Sequence, residues 1–221
     1  MSPWRRTRRS RSSAGRLLVG AGLLLASACS RPPLPGGGTV KDGSYDNPYF
    51  GMTLSIPPGW TAVKAPASMS RFLQYFLRMM ASQGGGPADD LRSVPFVRLS
   101  TDPGGGLKGP KDAVLTVAAA DLGAKALTYS QALKFAGLLL ENSPVPAKFR
   151  GKPHDALLGG IHAGAFETEL AFKEKPLLEA SRFVFRKGHV VVFHVSAASP
   201  DGLRAGLDVL ESIRWRTPAE P

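Results

Sequence analysis

The chain has 221 residues with 28 Lys or Arg against 17 Asp or Glu, a formal charge of +11, and one cysteine. A single cysteine excludes an internal disulfide, and a hydrophobic fraction of 43% excludes a polar, disordered chain. The excess charge also fails as an argument for nucleic-acid binding, because six arginines crowd before residue 17 and the remaining basic residues form no run interleaved with aromatics.

Those six, Arg5, Arg6, Arg8, Arg9, Arg11 and Arg16, form a cationic head before the uncharged stretch Leu17 to Leu25, which is followed by Ala26, Ser27, Ala28 and Cys29. A charged head, a short apolar core and small residues before a processing point predict an export signal over 1–28. The apolar stretch is too short for a permanent span, which needs about 20 residues. It resembles the lipoprotein signal peptide of bacteria, in which the cysteine carries lipid and becomes the first residue of the mature chain. That resemblance implies lipidation at Cys29, a protein held at a membrane outside the cytoplasm, and, with Ser30 next, the outer membrane in a host that has two. No apolar residue stands where the twin-arginine route needs one after Arg8 and Arg9, so the general route is expected. Without the leader, 22 basic residues face 17 acidic ones, a net charge of +5. About 190 residues then remain, enough for one globular domain with its own core.

Residues 29–44 are rich in Pro and Gly and read as a flexible tether, 45–217 as a single domain, and 218–221 as a tail. Met52, Leu54 and Ile56 alternate with polar residues as a half-buried strand that Pro57 and Pro58 end, and Gly59 permits a turn carrying Trp60 back to the core. From Ser68 to Ser82 the period changes. Phe72, Leu73, Phe76, Leu77 and Met80 recur at three and four, which predicts an amphipathic helix that Gly84 to Gly86 stop. A polar loop (Pro87 to Arg92), a strand (Val94 to Ser100), a flexible stretch (Asp102 to Pro110) and an apolar strand (Ala113 to Ala120) follow. Thr128 and Gln131 then form a capping box for a helix that ends at Asn142.

The last third alternates clearly. Phe166, Leu170 and Phe172 share one face of a strand with Glu167 and Glu169 opposite, and Phe183 and Phe185 share a face of the next with Arg182, Val184 and Arg186 opposite. Antiparallel pairing would set glutamates against arginines and phenylalanines against phenylalanines. Lys187 and Gly188 fit a tight turn into His189 to Ser196, whose unbroken Val190 to Phe193 predicts a central strand. Ser199 caps a helix starting at Pro200, with Leu203, Leu207, Leu210 and Ile213 as its stripe and Trp215 beyond it.

The opening Phe50 to Trp60, with its Pro-Pro-Gly-Trp, and the closing helix with Ser212-Ile213-Arg214-Trp215 resemble the Mog/PsbP-like superfamily over roughly Tyr45 to Arg216. Its members include the extrinsic PsbP subunit of photosystem II, a Ran-binding nuclear transport factor and many bacterial lipoproteins. The resemblance implies an α+β fold, an antiparallel sheet with helices on both faces in an α/β/α sandwich. It also implies protein binding without a shared catalytic residue set.

The residues themselves offer no catalytic foothold. His189 and His194 are five apart on one strand and point to opposite faces, so they cannot share a metal. Parity likewise separates His162 from Glu167 and Glu169, and His154 with Asp155 reads as a loop dipeptide. No nucleophile elbow, zinc-binding spacing or phosphate loop occurs. No catalytic residue, metal or cofactor is therefore expected. The helix from Met69 to Met80 stands out, because Phe72, Tyr75, Phe76, Met79 and Met80 form an adaptable apolar surface between glycine loops. Two uses follow: a lipid-anchored, non-enzymatic module that binds an envelope protein through this helix or a sheet edge, or a carrier of an apolar small molecule or lipid with this helix as lid.

Overall fold

The structure, a computed structural model, describes residues 37–63, 71–83, 93–122, 127–142, 146–171 and 176–216. The signal, Cys29, Met69, the glycine triplet at 84–86 and Phe172 lie outside the described residues. Four short strands open and close the first sheet: β1 (Thr39–Lys41), β2 (Ser44–Asn47), β3 (Met52–Ser55) and β12 (Arg214–Trp215), in the order β1-β2-β3-β12. β1 lies in the stretch expected to be a tether. It is an exposed strand paired to β2, and the Tyr45 hydroxyl donates to the Gly37 carbonyl at 2.9 Å.

The second sheet has β4 (Thr61–Val63), β5 (Ser93–Ser100), β6 (Ala113–Asp121), β7 (Ala147–Phe149), β8 (His154–Leu158), β9 (Ile161–Leu170), β10 (Leu177–Arg186) and β11 (His189–Ala197). Its order is β4-β5-β6-β11-β10-β9-β7, with β8 also on β9, and every pair is antiparallel. The apolar run in β11 thus lies at the centre of the sheet, where both of its faces need cover.

Helices α1 (Arg71–Gln83) and α2 (Tyr129–Glu141) cover one face, and α3 (Pro200–Glu211) with the first sheet covers the other. Alternation divides β11 between them. Val191, Phe193 and Val195 pack with Leu203, Val209 and Leu210 of α3, whereas Val190 and Val192 pack with Leu73, Phe76 and Met80 of α1 and Ala132 and Ala136 of α2. The fold is therefore α+β, an antiparallel sheet between helices.

Local signals hold. Thr128 and Gln131 bond reciprocally as a capping box with Asn142 as C-cap, and the Ser199 side chain accepts from Gly202 N ahead of Pro200. Lys187 and Gly188, at φ 51° and 74°, make the two-residue hairpin turn.

Three further expectations are corrected. His154 and Asp155 are not a loop dipeptide but open β8, paired to Ala165 and Gly164 of β9. The stretch from Asp102 to Pro110 is not a loose hinge. Asp102 accepts from Gly104 N at 3.2 Å and Gly106 N at 3.0 Å, Asp112 accepts from Gly109 N at 2.6 Å, and the Ser199 hydroxyl donates to the Pro110 carbonyl. Side-chain acceptors of this kind fold a glycine-rich loop without secondary structure. The β9–β10 register also differs: Phe183 faces Gly164, and Arg182 faces Ala165. Glu167 reaches Arg182 only diagonally, at 3.7 Å, while Arg186 turns away to donate from Nε to the Phe50 carbonyl at 2.5 Å and from Nη2 to the Arg216 carbonyl at 3.0 Å.

Candidate functional site

In α1 the period of three and four does what an amphipathic stripe does: Leu73, Phe76, Leu77 and Met80 are fully buried. Phe76 meets Phe166 and Phe183 with ring centroids 5.3 and 5.6 Å apart. Phe76 and Met80 are thus core residues, Tyr75 is exposed, Met79 is half-buried, and the side chain of Phe72 lies outside the described residues.

The histidines separate as parity requires. His189 packs against Tyr49 and Phe50 on the α3 side, while His194 lies on the α1 side. His162 pairs with Asp155 at 3.3 Å under the ring of Tyr129, whose hydroxyl donates to the His162 carbonyl at 2.7 Å. Among the described residues no group of three or more His, Cys, Asp or Glu is placed to hold a metal ion, and no helix is long and apolar enough to cross a membrane.

One constellation escaped the sequence reading. His194 Nδ1 lies 3.0 Å from Ser181 Oγ, its Nε2 lies 3.2 Å from Glu179 Oε1, and the Ser196 hydroxyl donates to the same oxygen at 3.4 Å. The signal was available: a two-residue turn at Lys187–Gly188 fixes Ser181 opposite His194 and Glu179 opposite Ser196. Hydroxyl, imidazole and carboxylate in series have the chemistry of a nucleophile and its base. Here, however, Ser181, His194 and Glu179 are each no more than 2% exposed, sealed within the sheet. Glu179 Oε2 and the neighbouring Thr168 Oγ1 are buried with no hydrogen-bond partner among the described residues. An arrangement closed to substrate serves as a polar lock between strands.

Among the described residues, an accessible concavity lies on the other face. A cleft of about 420 Å³ opens between α3 and the β8–β9 end of the sheet, with Arg182 at its floor, Leu158, Leu207 and Leu210 along its walls, and Arg204, Asp208 and Glu211 at its mouth. Its origin is steric. Gly206 lets α3 sit so close over Val195 that a Cβ there would collide with the valine, while the small side chains of Ala156 and Gly159 leave the cleft open at the β8 end. Burial pushes the Arg182 guanidinium below its ordinary range and the Glu167 carboxylate opposes that shift.

No protein family model matches the chain, and no curated protein matches it. Solved structures do. LpqN of Mycobacterium tuberculosis, described as involved in cell envelope biogenesis, is 15% identical over 75% of this chain and 83% of its own, with a TM-score of 0.46. The cyanobacterial PsbP of Synechocystis is 14% identical over 83% of this chain and 99% of its own, with a TM-score of 0.48. These likenesses describe the course of the chain and carry nothing about what it does.

Proposed function

We propose that this chain is an exported protein, held at a membrane by lipid on Cys29, that acts as a non-enzymatic binding module for another protein of the cell envelope. The leader chemistry supports the anchoring. The observation that carries the binding is the open edge of the large sheet: β8 pairs with β9 on one side and with no described strand on the other, and its Leu157 is 75% exposed. An unpaired edge with an apolar side chain in water is a surface for an added strand. The sealing of Ser181, His194 and Glu179 supports a non-enzymatic role.

Two measurements test it. Intact mass from native membranes should show a chain beginning at Cys29 with lipid attached, and Cys29→Ser should release it from the membrane; an unmodified thiol or a retained leader refutes the anchoring. A photoreactive residue at 157 in intact cells should give one reproducible protein adduct that a probe at Lys134 on α2 does not. Equal adducts at both positions, or none at 157, refute the edge as the binding surface.

A further inference from the structure

Arg182 is poorly matched for a buried cation. Its side chain is 16% exposed, its Nη2 lies 3.7 Å from Glu167 Oε1, and its Nη1 donates to the Ser181 carbonyl at 3.2 Å. Glu167 is shared with Arg150, 4.0 Å from its other oxygen, so that carboxylate holds both guanidiniums at ion-pair distance and neither in a close fork. A guanidinium has five N–H donors and is best satisfied by a bidentate oxyanion, and burying one without that partner is costly. The cleft that exposes its remaining surface falls within the roughly 300–1,000 Å³ of ligand pockets. Leucine lines the walls beside that cation, and the acidic side chains Asp208 and Glu211 are exposed on α3.

We propose that this cleft binds a single-chain amphiphile, its anionic head, a carboxylate or a phosphate, on Arg182 and its hydrocarbon chain along Leu207, Leu210 and Leu158. The head supplies the short charge-assisted hydrogen bonds that Glu167 does not, and the chain fills space beside the small side chain of Ala156. The cleft borders the β8 edge and shares Ala156 and Leu157 with it, but its cation stands on β10 and Leu207 and Leu210 on α3, so this inference does not rest on the protein-binding reading.

Calorimetric titration of the full chain in an uncharged detergent tests it, with octanoate, octyl phosphate, octanol and octylammonium as probes. Heat of partition into micelles is common to all protein variants and cancels between them. Octanoate, octyl phosphate or both should bind at one saturable site, and which one binds identifies the head. Octanol and octylammonium should bind at least roughly tenfold more weakly, the loss of one charged hydrogen-bond pair. Arg182→Gln should weaken the anion by a similar factor, and Ala156→Trp, which fills the cleft and leaves the guanidinium in place, should abolish binding. Failure of both anions to bind overturns the proposal, as does equal binding of octanol or an affinity unchanged in either variant.

Discussion

Gly164 of β9 sits opposite Phe183 of β10, under the ring, and replacing it by alanine should destabilise the protein measurably. An added Cβ would collide with Phe183 Cζ and lie 2.5 Å from Cε1 and 2.7 Å from Cε2, so the ring would have to retreat by about 1.5 Å to reach ordinary contact. It has nowhere to go, because Phe76, Phe185 and Tyr129 surround it at centroid distances of 5.6, 5.9 and 6.0 Å and its own exposure is 0%. Overpacking of this kind costs about 1–3 kcal/mol. Alanine also stiffens the unfolded chain, which offsets roughly 0.4–1 kcal/mol of that cost. The net expectation is about 1 kcal/mol, or a melting temperature lower by roughly 2–4 °C for a domain of this size. Circular-dichroism melts and urea unfolding of Gly164→Ala, Phe183→Leu and the double variant measure it. Because leucine removes the ring that collides, the double variant should be more stable than the sum of the singles by about 1 kcal/mol. A Gly164→Ala protein within about 0.5 kcal/mol of the parent, or strict additivity, would refute the close packing.

Burial pushes the Tyr45 hydroxyl up to about 12, with the Asn47 side chain opposing and Asp46 adding to the shift. The unfolded chain therefore loses this proton first, and stability that is intact below pH 10 should fall by about 2–3 kcal/mol as pH rises from 10 through 12, a loss that Tyr45→Phe removes in alkaline urea melts. In the polar lock, His194→Leu leaves the buried Glu179 carboxylate with the Ser196 hydroxyl but without the imidazole, and should cost about 3 kcal/mol. Glu179→Gln keeps one acceptor and gives Thr168 a donor, so it should cost less than about 1 kcal/mol; equal losses in urea unfolding would contradict the geometry. The Asp102 carboxyl is held below its ordinary range by the amides of Gly104 and Gly106, so the loop is secure above that range and should loosen as pH falls through the lowered value. Hydrogen exchange at those two amides should speed in Asp102→Ala at neutral pH; unchanged exchange would show that the backbone alone holds the loop.

How far the sequence carries depends on the distance over which each feature is made. The caps at Thr128 and Ser199, the turn at Lys187–Gly188 and the central position of Val190 to Phe193 were legible because each rests on a few neighbouring residues or on one strand's period. The β9–β10 register was not. Alternation fixes which residues share a face and says nothing of how far one strand slides along the next in steps of two. The ring of Phe183 over Gly164 settles that, by filling the only gap a missing side chain leaves on that face of the pair.

The adaptable helix shows the same division. Its apolar stripe predicted a helix, but composition could not tell an open surface from a covered one, and packing against Phe166 and Phe183 makes Phe76 and Met80 core. The amino-acid sequence by itself determined the three helices, the long strands β5, β6, β9, β10 and β11 and their inward faces, all of which depend on neighbours along the chain, whereas the short strands β1, β4, β7 and β8 are set by their partners. Only the tertiary structure decided that Ser181, His194 and Glu179 meet out of reach of solvent and that a cleft floored by Arg182 stays open. Both depend on how closely one element settles on another, and α3 could come down over Val195 only where Gly206 has no side chain.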